Sequence, residues 1–166
     1  SLLVEKEGRL SVQGDPTEGA LISAAAKAGF FIDKEQARFK RLDTIPFESH
    51  YQYMATLHAD PQGGDALAYV KGSVEAVMER CASALDSQGS AVALDASAIH
   101  AAVDAMAAKG LRVLAFAQKN LEGGTQKIDH KDIEKGLIFL GLQGMIDPPR
   151  SEAVEAVHKC HSAGIK

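Results

Sequence analysis

Apolar and polar positions along this 166-residue chain follow two rhythms, and each change of rhythm marks an element. The first is helical. Asp15 offers an N-cap, Pro16 suits the first helical position, and Glu18 stands three residues after the cap as in a capping box. That helix is expected to reach about Ala28 and to stop at Gly29. A charged connection over residues 33–38 follows. Residues 40–47, 51–59 and 66–71 read as strands, and the turn-rich DPQGGD at 60–65 makes the last two a hairpin. Ser73 caps a helix in which Val74, Val77, Met78 and Cys81 recur at the i, i+3, i+4, i+7 spacing of one buried face. After a loop or small hairpin at 86–90, Asp95 caps another helix with Ile99, Val103 and Met106 inward and Gly110 at its end. Residues 111–118 read as a strand, 119–136 as a long polar loop, and 137–143 as a strand with too little alternation to face water on one side. Two prolines break the chain at 147–150, and a helix over 151–163 resumes beyond a domain edge. This order predicts an α+β fold, a mostly antiparallel β-sheet flanked by α-helices.

Composition adds limits to that picture. At 46% hydrophobic residues the chain can bury a real core, but aromatics make up 5% and tryptophan is absent, so alanine, valine and leucine must fill it. The net charge of -4 and an isoelectric point near 5.8 give no basic field, and no nucleic-acid partner is expected. Cys81 and Cys160 form neither a CxxC pair nor a disulfide framework, which points to a reducing, cytosolic setting. No apolar run approaches the ~20 residues that span a bilayer, and no signal peptide is expected. His158, Cys160 and His161 look metal-like at first sight. On a helix, however, Cys160 points away from the two histidines and no fourth ligand is evident, so a solvated face is the expectation. Asp129 and Asp132 read as solvated charge in the polar loop. His58, His100 and His130 are scattered, and no nucleophile with a positioned base can be named.

The common nucleotide motifs, GxxxxGK[ST] and GxGxxG, are both missing. Four other stretches stand out: GDPTEGAL at 14–21, IPFES at 45–49, KGS at 71–73 and DPPR at 147–150, with GLRVLAFA at 110–117 before the last. In this order they resemble the nucleotide-binding domain of P-type cation-transporting ATPases, the type II, calcium-pump-like branch in particular. The resemblance runs over nearly the whole chain. It implies that residues 1–146 form the nucleotide-binding domain and that 147–166, the DPPR hinge and a first helix, lead into a phosphorylation domain. Family members pass the ATP γ-phosphate to an aspartate in a DKTGT motif and need a TGD motif further on. Neither occurs in this sequence, so an excised domain that binds ATP without turning it over is expected.

Residue by residue, the resemblance implies that Phe47 stacks on adenine, that Glu18 accepts from the adenine amino group beside Thr17, that Lys71 lies deep in the pocket beside the nucleotide, and that Gly72, Ser73 and Met54 also bind it. It places Arg112 near the phosphates, Leu114 against the base or ribose, and Arg150 within reach of the phosphates when domains close. Each has a plainer reading from the residues alone. Phe47 could be a core ring, Glu18 a capping residue, Lys71 an exposed lysine, Arg112 half of a salt bridge, and DPPR a proline-rich helix start. Glycine at position 72 would let a ligand approach the backbone. Ser49 and Gln52 fall where related calcium pumps carry basic residues, so a positive phosphate contact is expected to be missing or weakened there, with His50 nearby. The cofactors implied are ATP and the Mg²⁺ that accompanies it. The partners implied are the phosphorylation, actuator and transmembrane domains of one parent chain, whose cytoplasmic part this would be; the isolated domain is expected to be monomeric. Calcium is the first cation expected, with a sodium or sodium/potassium pump as alternative. An interaction module of the same fold with little nucleotide binding also stays open.

Overall fold

A hairpin of β1 (Leu2–Lys6) and β2 (Arg9–Gln13) precedes the helices α1 (Pro16–Lys27) and α2 (Ile32–Arg38) in the computed structural model, which describes residues 2–6, 9–13, 15–146 and 151–165. Then come β3 (Arg41–Glu48), β4 (Tyr53–His58), β5 (Ala66–Gly72), the short α3 (Val74–Met78), β6 (Cys81–Leu85), β7 (Ala91–Val92) and α4 (Ala96–Ala107). β8 (Arg112–Leu121), a 3₁₀ turn at His130–Ile133, β9 (Leu137–Met145) and α5 (Ser151–Ser162) complete the order. Seven strands form one sheet in the order β3-β4-β5-β8-β9-β6-β7. Only the β6–β9 pair among them is parallel, which bears out the α+β expectation.

Strict alternation in the central strands gives the sheet two different faces. On the inner face Tyr53, Ala55 and Leu57 of β4, Ala66, Ala68 and Val70 of β5, and Ala115 and Ala117 of β8 are buried. Cross-strand register aligns them, with Ala55 opposite Val70 and Val70 opposite Ala117. The small side chains let α3 settle close, so Val74 and Val77 are buried against them together with Ile128, Ile133, Leu137 and Phe139. Tyr53 and Leu57 are the large exceptions. On the outer face the intervening residues, Met54, Thr56, Tyr69, Lys71 and Phe116, are only half-buried. α1 buries Gly19 alone and α2 buries nothing.

Several expected elements change in detail. Residues 33–38 form a helix and not a connection: no glycine or proline interrupts them, and Asp33 and Glu35 in the first turn with Arg38 in the last suit the helix dipole. α3 ends at Met78, and Cys81 opens β6, so the helical spacing through Cys81 misled; Ser73 does cap it, accepting from the Ala76 amide at 3.2 Å. The small hairpin at 86–90 exists, joining β6 to β7. The stretch 119–136 is not simply a polar loop. β8 runs on to Leu121, Ile128 and Ile133 are buried, and Lys119 Nζ donates to the carbonyls of Asp132 at 2.6 Å and Lys135 at 2.8 Å. Asp129 and Asp132 are not free solvated charges either, since together they form the capping box of the 3₁₀ turn. The β1–β2 hairpin lies where no element was expected.

Two predictions come from this packing. A Cβ at Gly72 would stand 2.4 Å from the Gln52 carbonyl oxygen, 2.7 Å from Tyr53 Cβ and 2.8 Å from Tyr53 Cα. Backbone atoms cannot swing away, so Gly72→Ala should lower stability by about 2–3 kcal/mol in urea unfolding. The α5 side chains described are all exposed, with Val157 54% accessible; Val154 lies outside the described side chains. Deleting residues 151–166 should therefore leave Tm within about 2 °C of the parent chain in a thermal melt.

Candidate functional site

Between α1, α2 and the outer face of the sheet lies a cavity of about 480 Å³. Leu21 and Ile22 of α1, Met54 of β4, Phe116 of β8 and Leu140 of β9 give it apolar walls, and Gln36, Arg41, Thr56 and Tyr69 add polar groups. One end is ionic. Glu18 Oε1 and Lys71 Nζ stand 3.3 Å apart, with their side chains 41% and 24% exposed. The cavity exists because α1 covers the sheet without inserting into it: its Leu21 and Ile22 are half-buried, and the helix contributes no large fully buried side chain. An open cleft that mixes apolar side chains with several polar ones suits a flat, partly polar ligand. A second cavity of about 600 Å³ shares Gln36, Arg41 and Tyr69 with the first and continues under α2.

The N-terminus of α1 divides two tasks that the sequence left competing. Asp15 accepts from the Glu18 amide at 3.0 Å and so caps the helix, while the Glu18 carboxylate reaches Lys71 across the cleft. That ammonium holds the Glu18 carboxyl below the usual carboxylate range, against partial burial, which acts the other way. Asp15 is also lowered, chiefly because its carboxylate accepts from the Glu18 amide.

Phe47 is no core ring: it is 59% exposed. Its placement comes from a bulge. Ile45 pairs with Ala55 and Glu48 with Tyr53, so Pro46 and Phe47 together stand opposite the single Met54. Without the extra residue Phe47 would share the inner face with Ile45; with it, alternation puts Phe47 on the side of Met54 and Lys71. Pro46, which has no N–H to give a ladder, is tolerated at a bulge on an edge strand.

The structure thus brings Glu18, Met54 and Lys71 into one cavity, with Phe47 outside its lining but at the register position of Met54. Gly72, Ser73 and Gln52 form a second cluster. The Ser73 amide donates to the Gln52 carbonyl at 2.9 Å, and Ser73 Oγ donates to Gln52 Oε1 at 3.2 Å. The space beside Gly72 is taken by the Gln52 carbonyl and by Tyr53, so the packing of the chain itself requires a glycine there. Ser49 is exposed in the turn before Gln52. Thr17 and Arg112 meet at a separate recess of about 50 Å³ with Met145 and Ile146. Arg112 is exposed, so the cost of burying its charge, which seemed to demand a partner, does not arise. Leu114 is half-buried on the outer-face register of β8, opposite Gln143. Arg150, with the rest of DPPR, lies outside the described residues.

Sequence reasoning missed Leu21, Ile22, Thr56, Tyr69, Phe116 and Leu140 as cavity residues. Alternation along β4, β5 and β8 could have found the strand members, since each is two residues from another outer-face position. Burial pushes the Tyr69 phenol up. Burial likewise pushes the Cys81 thiol up to about 11, which leaves it a poor nucleophile. Among the described residues no three His, Cys, Asp or Glu side chains form a group able to hold a metal ion, and no helix is long and apolar enough to cross a membrane.

The Glu18–Lys71 pair makes a pH prediction. A carboxyl whose folded pKa is depressed contributes stability above its unfolded pKa and loses it as pH falls through the folded one. Because the pair is partly exposed, Glu18→Gln should cost no more than about 1 kcal/mol at pH 7. In paired urea titrations the difference from the parent should shrink once pH falls below the ordinary glutamate pKa of about 4.3 and vanish below the depressed folded value. A deficit that persisted at low pH would mean that the contact is packing and not charge.

Comparison with known proteins gives these features a common setting. Residues 3–152 match the family described as P-type ATPase, cytoplasmic domain N. The chain is 58% identical over 156 residues to the cation-transporting ATPase pma1 of Synechocystis sp., covering 94% of this chain and 17% of that protein. It is 35% identical over 158 residues to calcium-transporting ATPase 1 of Bacillus cereus, covering 94% and 17%. It is also 35% identical over 162 residues to the sodium/potassium exporting P-type ATPase cta3 of Schizosaccharomyces pombe, covering 96% and 15%. The chain therefore spans less than a fifth of the length of these relatives, and it belongs to the family of P-type ATPase cytoplasmic N domains.

Proposed function

We propose that this chain binds ATP in the cleft between α1 and the outer face of the sheet, as the nucleotide-holding part of a cation-transporting P-type ATPase. The convergence of Glu18, Met54 and Lys71 at one end of the cavity, with exposed Phe47 carried to the same register by the bulge, is the observation that supports this most. Adenine would lie on the Phe47 ring with its amino group toward the Glu18 carboxylate, a hydrogen-bond acceptor. Lys71 would stand beside the base, and its positive charge keeps Glu18 ionised and able to accept. Leu114 would contact base or ribose, and the triphosphate would point outward past Gln52 and Ser73 toward Thr17 and Arg112. Mg²⁺ would arrive with the nucleotide.

In the parent protein the γ-phosphate would pass to an aspartate on another domain, and the aspartyl-phosphate would drive cation movement through membrane helices. Residues 1–146 would be the nucleotide domain, and residues 147–166, with Arg150, the crossing into the phosphorylation domain. The actuator and transmembrane domains would complete the set of partners, and this part would face the cytoplasm. Calcium is the cation we favour; the names of the relatives also include sodium/potassium export, and the ion ligands would lie in membrane segments.

One observation favours a second reading, an interaction module with weak nucleotide binding. Gln52 and Ser49 are neutral, and the Gln52 side chain is already engaged by Ser73. A nucleotide titration separates the two. MgATP should shift amide resonances of Phe47, Lys71 and Arg112, and Phe47→Ala should weaken binding by the ~1–3 kcal/mol of a stacked base. Purified chain with MgATP should release no phosphate above background. Unchanged spectra at millimolar MgATP would favour the interaction module.

A further inference from the structure

The turn between β3 and β4 is held from both sides. On one side Gly72 leaves room for the Gln52 carbonyl and Ser73 binds it, which fixes Gln52 at a positive φ of 58°. On the other stands His130, from the stretch that reads in sequence as a polar loop. Its Nδ1 and the Tyr53 hydroxyl are 2.6 Å apart, and its ring stacks on Tyr51 with centroids 4.1 Å apart and planes 30° apart. The Arg80 guanidinium covers the Tyr53 ring at 4.6 Å.

His130 is itself firmly placed. Asp129 and Asp132 cap its turn, Ile133 is fully buried beside it, and the Ile128 amide donates to Asp43 Oδ2 on β3 at 3.0 Å. The segment therefore straps the edge strand β3 to the inner face. The register of β3 matters because one residue of slip would exchange the faces of Pro46, Phe47 and Glu48. Tyr53, the residue His130 holds, is the partner of Glu48 at the far side of the bulge.

We infer that His130 is a positioning residue of the nucleotide site: by stacking on Tyr51 and hydrogen-bonding Tyr53 it fixes the 48–53 turn, and through it the bulge that presents Phe47. The inference rests on reading this cleft as the ATP site, yet no atom of His130 needs to touch the nucleotide. The role is separable from general stability. Ile133→Val removes one buried methyl group from the same segment and should lower stability without loosening the turn.

The test compares His130→Ala, His130→Asn, Tyr53→Phe and Ile133→Val in the 166-residue chain by MgATP titration, thermal melting and amide spectra. His130→Ala and Tyr53→Phe should each weaken MgATP about 3- to 10-fold, the range expected for losing one hydrogen bond. Both should move the Phe47 and Gln52 resonances before nucleotide is added. His130→Asn, which keeps a hydrogen-bonding group near the Nδ1 position but loses the stack on Tyr51, should bind MgATP more tightly than His130→Ala and more weakly than the parent. Ile133→Val should lower Tm and leave affinity unchanged. Parental affinity in both His130→Ala and Tyr53→Phe, or an equal loss in Ile133→Val, would overturn the inference. Should His130→Ala not fold, Tyr53→Phe and His130→Asn decide it. Failure of the parent chain to bind MgATP would refute the reading of the site instead, and unmoved Phe47 and Gln52 resonances in the variants would then refute the positioning role by itself.

Discussion

One extra residue in β3 decides which face of the sheet Phe47 takes. Pro46 and Phe47 share the place opposite Met54, and this two-against-one pairing turns a phenylalanine that strand parity would send into the core toward the opposite face. A bulge survives only where its surroundings make the regular register worse. Here the turn that follows is closed by Gly72, which lets the backbone of Gln52 and Tyr53 come within a distance that no Cβ would allow. The inner-face position beside it is filled by Tyr53, 1% exposed, between His130 and Arg80. The bulge, the glycine and the buried tyrosine form one unit, and the exposure of Phe47 is its outcome.

The other half of the cleft comes from what α1 does not do. A helix that pressed its apolar residues into the sheet would gain burial energy and leave no cavity. α1 instead carries small residues over much of its length, caps itself through Asp15, and meets the outer face through Leu21, Ile22 and the Glu18–Lys71 pair. The inner face takes the opposite course. Its alanines let α3 and the 120s–130s segment approach closely, and the core packs on that side of the sheet. Stability and cavity are thus assigned to opposite faces of the same strands.

Much of this was legible in the residues. Capping signals located α1 and α4, the DPQGGD turn located the β4–β5 hairpin, and the motif order pointed to the family that residues 3–152 match. Glu18 and Lys71 were singled out separately, and the fold brings them together across 53 positions of sequence. What stayed hidden depends on contacts between distant segments. The stretch 119–136 reads as loop because its anchors, Ile128, Ile133 and Lys119, are isolated in sequence and act only once the sheet exists. Gly72 was read for the approach of a ligand, and the fold adds a demand that the sequence did not show, since the chain's own backbone fills the space beside it. The bulge at Pro46–Phe47 leaves only the proline as a trace, and a strand written as continuous apolar and polar alternation places Phe47 on the wrong face. Arg112 looked costly on an apolar strand because burial was assumed, and it lies exposed at the start of β8.

The most direct measurement of the account is the set of intermolecular NOEs between the adenine H2 and H8 protons of bound MgATP and the protein. With adenine stacked at the bulge, both protons should show contacts to the Phe47 ring, and at least one to the Met54 methyl group. NOEs confined to Ile32, Phe39 or His58 of the adjoining cavity, or tight binding with no contact to Phe47, would contradict it.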